Sequence, residues 1–474
     1  MSLLLRNARR WPDLELGPVF VADGRIAAFE ERPAEREVDL EGALLLPGFV
    51  DTHTHLGWAG EALWRVQCGK ARTRAEALAA VRAAAGRLEP GFWLLGGAWS
   101  RERLRDEELP TLAELDEASG DAPAFLVSTD GSLGMVNSAA MRLMRLAELA
   151  DPPGGRIDRA AGILHDAATR VMMTRDVVPE IDRHRRRGEL RAALRELPRL
   201  GITEAHDIAT YPGEPEPPLI RWERSWSDAS LLDEVELPAR VTVRPSLHRR
   251  HEFIGRDLPR LEGLKQFGGP AFRNPGRAVV MPWIQEAHDA GLSVSVHSLD
   301  DEACRETIDW FEPCAHPGGP RHRLVHARAL RRGDVERIVR LGLVVEAQPW
   351  DTIEDRRMTD DPDAVELPLR TLLDAGAHVC LGSDWRDDNL VPLDPREEIR
   401  AAVERDEEAI TVAEGIDCYT AGGAYAGGNE TRRGRIELGF DGDLVALAAD
   451  PGALLDGEIR LTVCGGEVTY APGA

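Results

Sequence analysis

The sequence predicts an α/β protein: a (β/α)8 barrel with a small β-sandwich assembled from both chain ends. Three observations carry this. Through the middle of the chain, apolar strand-like runs alternate with helical patterns, the sequence form of βα units. Both ends are instead strand-rich, with Phe20-Val21-Ala22 and Arg25–Phe29 flanking Asp23-Gly24, a hairpin signal. And 474 residues are too many for one small core but suit a large barrel with an accessory domain.

Taken in order, residues 1–47 read as short strands and turns. Residues 434–474 continue the pattern in Gly434–Leu438, Asp443–Leu447 and Ile459–Val463. Together they form the expected discontinuous sandwich, leaving 48–433 for the barrel. Its expected strands are the run ending in His53 and His55, then Ala124–Val127, Ile202–His206, Val241–Val243, Leu264–Phe267, Leu292–His297, Arg323–His326, Leu343–Ala347 and Val379–Gly382. Helical spacing falls between them, for example over 74–87 and 184–199. The basic stretch 183–198 reads as a solvated helix face, with binding of an acidic partner as the alternative. Residues 212–236, 268–277 and 351–364 break the rhythm where βα loops should cross the barrel mouth, the place where substrate contacts concentrate.

Composition narrows the class. Hydrophobic content of 43% and charged content of 30% describe an ordinary globular protein. A net charge of −24 argues against nucleic acid and against an anionic membrane, and fits a solubilising acidic coat. Six cysteines without regular spacing give no disulfide framework and suit a reducing compartment. Leu3-Leu4-Leu5 before Arg6 is too short for a signal peptide, and no window is long and apolar enough to span a bilayer. The expected location is cytoplasmic. The expected partner is a small-molecule substrate, with no nucleic acid and no membrane; a homodimer is left open.

The chemistry centres on Leu46-Pro47-Gly48-Phe49-Val50-Asp51-Thr52-His53-Thr54-His55-Leu56. Side chains at i and i+2 leave a strand on one face, so His53 and His55 make half of a metal site. Alone, such a pair is equally a solvated surface feature. But His297 and His326 also end apolar runs, and Asp384 follows Leu381-Gly382-Ser383 at another strand end. Barrel active sites gather residues from several strand ends at the C-terminal face. Four imidazoles and a carboxylate suit zinc or a neighbouring first-row ion rather than an all-oxygen calcium or magnesium cage.

At these residues the chain resembles the amidohydrolase superfamily of metal-dependent hydrolases, in the branch containing N-substituted formamide deformylases. The matching segments run nearly end to end. They include Pro47–His55, Asp130-Gly131, Val136–Ala140, Gly201–Thr203 with His206-Asp207, and His322–Ala327. Gly382-Ser383-Asp384-Trp385, Asp394-Pro395, Asp417–Ala426 and Gly439–Val445 complete them. The resemblance implies a distorted TIM-like barrel with a sandwich from both termini, and one or two divalent ions, with zinc expected. His53 and His55 would hold the more buried ion, His297 and His326 the second or a share of a single one, and Asp384 both metal and water. Lys265 falls where the branch has a strand-end lysine that is carboxylated in two-metal relatives; an unmodified lysine paired to an acid or gripping substrate is the alternative.

Four positions depart from the branch pattern: Gly268-Gly269-Pro270 follows the lysine segment, Ser132 replaces a histidine, Val325 a glutamate, and Asp300-Asp301 a Gly-Asp pair. They keep every ligand position and leave the substrate unassigned. Expected substrate contacts are Asp130, Ser132, His206, Trp350, Trp385 and Arg386, each with a plainer role open to it as a helix cap, a core residue or an ion-pair partner. Asn137 is expected to cap the helix that Ser138 begins. The implied reaction is hydrolysis of an amide-type C–N bond (N-acyl, formamide or cyclic amide), with Asp384 as the catalytic acid–base. The alternative is single-metal deamination of an aminated heterocycle, which in this superfamily uses a Glu three residues after the strand-five His; here that position is Asp300. A non-catalytic binding protein would show lost ligands, and none is lost.

Overall fold

The computed structural model describes residues 2–88, 91–99, 109–128, 132–173, 183–208, 229–256, 258, 260–267, 276–350, 359–385, 393–449 and 451–472. Its centre is built from eight parallel strands, labelled here in chain order. β1 is Phe49–Thr54, β2 Ile202–Asp207, β3 Arg240–Val243 and β4 Gly263–Phe267. β5 is Ser293–Ser298, β6 Arg323–His326, β7 Val344–Ala347 and β8 His378–Leu381.

Two sheets hold these strands, one with β1, β2 and β3 as neighbours and one running from β4 to β8. Isolated parallel bridges continue the pairing across both seams: Val243 to Leu261 and Ser246 to Lys265 join β3 to β4, and Thr54 to Trp385 joins β8 to β1. Helices follow most strands, among them Arg277–Asp289 after β4, Asp301–Phe311 after β5 and Arg332–Leu341 after β6. After β2 and β3 the described residues hold only the 3-10 turns Ala229–Glu234 and Leu247–Glu252. That departure from regular alternation falls on the β1–β3 sheet and its seam with β4.

The run Ala124–Val127, expected in the barrel, lies elsewhere. It belongs to a separate six-stranded sheet built within residues 66–166, between β1 and β2. That unit has its own apolar clusters, including Phe125, Val136 and Leu164 on one side and Leu94, Leu126 and Met135 on the other. A short apolar run looks the same in either sheet, so periodicity alone does not separate them.

Both termini share one eight-stranded sheet, in which Leu44–Pro47 pairs in parallel with Ser2–Arg10 and antiparallel with Leu444–Ala448. Its alternation is used twice. Leu45, Leu444 and Ala446 pack into the sheet's own core with Leu3, Val21 and Val463. Leu44, Leu46, Val445 and Leu447, one residue out of step, join the main core instead. Asp23 and Gly24, at φ of 49° and 77°, make the expected hairpin turn. Gly434–Leu438 is not a strand, although Ile436 still packs on the sheet's core.

Gly382 shows how tightly β8 seats on β1. A Cβ there would lie 2.6 Å from the His53 amide nitrogen and 2.9 Å from its Cβ. Gly382→Ala is therefore expected to destabilise the fold by roughly 1–3 kcal/mol, an overpacking cost with no flexible neighbour to absorb it. A lowered urea midpoint would show it; an unchanged midpoint would mean that the strands part freely.

Candidate metal centre

The five expected strand-end residues meet at the C-terminal ends of β1, β5, β6 and β8. Donor atoms of His53, His326 and Asp384, all buried, lie within 4.8 Å of one another. Asp384 Oδ1 is 3.4 Å from His53 Nε2 and 3.1 Å from His55 Nε2. The His297 ring stands edge-on to His326, centroids 4.3 Å apart, and His326 is 5.3 Å from the His53 ring.

Backbone geometry places these groups. Asp384 donates its N–H to the His53 carbonyl (2.8 Å), and His55 donates to Trp385 O (2.9 Å), locking the end of β8 onto the end of β1. Asp51, on the same strand face as the histidines, accepts from the His53 and Ser383 amides (3.1 and 3.0 Å) and from Tyr419 Oη (3.3 Å). His326, Ala327 and Asp384 all have positive φ, at 69°, 47° and 52°. Non-glycine residues rarely hold that conformation, and such strain collects at functional sites.

The electrostatics suit a cation. Burial, with the Lys265 ammonium nearby, pushes the His53 imidazole down to about 4. Burial and the neighbouring His297 push His326 well below its ordinary value. Both rings are therefore neutral at pH 7, the form that ligates metal. His326 Nδ1 is buried without a hydrogen-bond partner among the described residues. An imidazole nitrogen so placed, beside a carboxylate and further imidazoles, fits a first-row divalent ion. Lys265 is 1% exposed, and burial lowers its ammonium to about 8, against the pull of Glu346 and Asp384.

Beneath the cluster lies a layer the sequence reading missed. Glu346 on β7 accepts from His53 Nδ1 (2.7 Å), Arg244 Nη1 (3.0 Å) and Arg323 Nη1 (2.7 Å). Glu262 pairs with the same two arginines from the other side. His206 belongs to this layer, not to the metal cluster. Its ring is fully buried, with Nδ1 facing Arg244 (3.2 Å) and Arg323 (3.3 Å) and Nε2 facing Glu204 (3.3 Å). The sequence signal was there: a charged residue inside an apolar strand run, as at Glu204, Arg323 and Glu346, implies a buried partner.

The other expected substrate contacts scatter. Trp385 is 5% exposed within the main core, and half-buried Trp350 donates its backbone N–H to Glu398 (3.0 Å). Ser132 lies in the separate six-stranded unit, its carbonyl accepting from the Asp166 amide (2.6 Å). Asp130 and Arg386 lie outside the described residues, as do most of the loops expected over the mouth. Asn137 caps the helix Ser138–Leu143 by accepting from the Ala140 amide (2.8 Å).

A second donor group, His288, Cys314 and His322, could also surround one ion by distance. Its hydrogen bonds argue otherwise. The Val294 amide donates to His322 Nδ1 (3.0 Å), which puts the ring's proton on Nε2, facing His288 Nδ1 at 3.0 Å. That proton occupies the place an ion would need. His322 also stacks between Phe311 and His288, at 4.7 and 5.3 Å, as a packed core histidine does.

Parallel strands carrying buried imidazoles and a carboxylate at their C-terminal ends define a metallohydrolase-type centre. The model of the amidohydrolase family matches residues 36–470, and the chain belongs to that family. It is thus a metal-dependent hydrolase acting on C–N bonds. It is 26% identical to a putative amidohydrolase, YtcJ, of Bacillus subtilis, over 92% of this chain and 91% of the relative. An N-substituted formamide deformylase of Arthrobacter pascens is 25% identical, over 93% of this chain and 92% of that protein. Among solved structures, an uncharacterised metal-dependent hydrolase from Pyrococcus furiosus superposes with a TM-score of 0.71 at 21% identity, covering 95% of this chain and all of the other. No described helix is long and apolar enough to cross a membrane.

Proposed function

We propose that this chain hydrolyses an amide-type C–N bond (N-acyl, formamide or cyclic amide) of a small molecule, using water activated where His53, His55, Lys265, His297, His326 and Asp384 converge. The observation that carries this is the buried meeting of His53, His326 and Asp384 within 4.8 Å at the ends of three different strands. One or two divalent ions, with zinc the expected one, fit that donor set. Bound there, such an ion supplies Lewis acidity and lowers the pKa of its water to roughly 7.

The chain's own groups do the rest. His53 and His55 would hold one ion, and His297 and His326 a second or a share of that one. Asp384 takes a proton from the attacking water and returns it to the leaving nitrogen. Lys265, buried beside them, would help hold the ions if carboxylated, or would stand as an amine beside a single one. Residues 48–433 act as a distorted (β/α)8 barrel, with the unit at 66–166 inserted into it, and residues 1–47 and 434–474 form the sandwich. The six cysteines, all free, suit a cytoplasmic enzyme.

Deamination is the weaker reading. The carboxylate it would need three residues after His297 is that of Asp300, which accepts from the Ala303 amide (2.7 Å) as the cap of a helix.

The test combines metal content per chain, native intact mass, and turnover of a panel of N-acyl, formamide and cyclic amides beside aminated heterocycles. Amide turnover with one or two ions per chain is expected, and about two ions with an added CO2 would mark Lys265 as carboxylated. One ion, an unmodified lysine and turnover of heterocycles alone would replace amide hydrolysis with deamination. No metal after reconstitution would sink the site.

A further inference from the structure

We propose that Glu346 is a positioning residue for the metal centre: its carboxylate fixes the His53 imidazole with Nδ1 protonated and Nε2 turned to the donor cluster, while Arg244 and Arg323 hold that carboxylate in place. The inference rests on the functional reading above and adds to it the residue that orients a ligand.

The geometry is one-sided. Glu346 Oε1 sits 2.7 Å from His53 Nδ1, whereas Oε2 receives both Arg244 Nη1 (3.0 Å) and Arg323 Nη1 (2.7 Å). A carboxylate only accepts here, so the proton of a neutral His53 lies on Nδ1, and Nε2 is left with its lone pair toward Asp384, 3.4 Å away. Rotating the His53 ring by half a turn would put a C–H against the carboxylate and forfeit the bond. A ligand held by a carboxylate on its second nitrogen is both oriented and made more basic.

The arginines matter because Glu346 is fully buried. A lone carboxylate there would be costly, and two guanidiniums compensate it. They are fixed in turn by Glu262, which contacts Arg244 Nε at 2.5 Å and also pairs with Arg323. Arg244 donates a further bond to Ser295 Oγ (2.9 Å), and Arg323 donates one to the Ala426 carbonyl (2.8 Å). Glu346 thus stands on a layer braced by Arg244, Arg323 and Glu262.

This layer supplies its own control. Glu262 touches the same arginines as Glu346 but has no contact with His53 among the described residues. Glu346→Gln offers one acceptor oxygen where three donors now converge. It is expected to weaken zinc binding by about 10–100-fold in competition with a chromophoric chelator. Glu262→Gln loosens the arginines but leaves the Glu346–His53 bond, and should cost clearly less zinc affinity than Glu346→Gln. Equal losses in both variants, or an undiminished affinity in Glu346→Gln, would reduce Glu346 to one more member of a structural ion-pair layer.

A second measurement needs no altered layer. In the metal-free wild-type protein, nitrogen NMR on labelled histidine, with the signal assigned by its loss in His53→Asn, should show His53 protonated at Nδ1. Protonation at Nε2 would overturn the proposal. Wild-type zinc binding tests the metal site itself, whereas the His53 tautomer decides the role of Glu346 whatever that result.

Discussion

Asp384→Asn is expected to lower kcat/KM by roughly 10²–10⁴-fold with any good substrate, the range that a positioned acid–base group contributes, and to keep most of the metal. The substitution keeps shape and one oxygen but removes the ability to take a proton. Asp384 has the position for that step: it follows β8, its N–H is tied to the His53 carbonyl, and Oδ1 reaches both His53 and His55. Its left-handed backbone turns the carboxylate back over the strand ends, a conformation asparagine tolerates as well as aspartate does. Four imidazoles remain to hold an ion in the variant. Kinetics and metal content on wild type and variant, purified in parallel, give the answer. Near wild-type turnover would dismiss the acid–base role. Loss of metal together with activity would make Asp384 a ligand first.

What could be read in the sequence follows from local order. β1, β5, β6 and β8 each end an apolar run at or near a metal-type residue, so His53, His55, His297, His326 and Asp384 stand out together in the sequence. Strand direction does the remaining work, since parallel strands put all their C-terminal ends on one side. The terminal sheet was legible because both chain ends read as short strands and turns, and the unbroken apolar runs Leu44–Leu46 and Leu444–Leu447 fit a sheet with a core on each face.

What escaped depends on partners distant in sequence. Glu346 gains its meaning only from His53 on β1, Arg244 just after β3 and Arg323 on β6. His206 ends its strand as the true cluster histidines do, yet its ring points into the arginine layer, and no spacing rule separates the two outcomes. Ala124–Val127 has the composition of a barrel strand, but its neighbours in space are strands of its own inserted unit. Tertiary pairing, not propensity, decides each case.

Removing the metal is expected to abolish hydrolysis outright and to make stability depend on zinc. His53 and His326 are 1% and 3% exposed, and such polar rings are buried at a cost that a bound cation offsets. An ion that binds only the folded state stabilises it by about 4 kcal/mol at a thousand times its Kd, and the unfolding temperature climbs with the logarithm of free zinc. The two histidine clusters make opposite forecasts. His326→Asn should flatten the zinc dependence, because it removes a nitrogen aimed into the donor set. Cys314→Ser should leave it intact, because the proton between His322 and His288 already fills that group's centre. Thermal scans of chelated protein over a zinc series, with activity followed in the same samples, separate the two clusters. Hydrolysis that survives chelation, with a melting temperature indifferent to zinc, would take the metal out of this fold altogether. A zinc dependence lost in Cys314→Ser and kept in His326→Asn would move the ion to the other cluster, and the tautomer argument at His322 would be the step that failed.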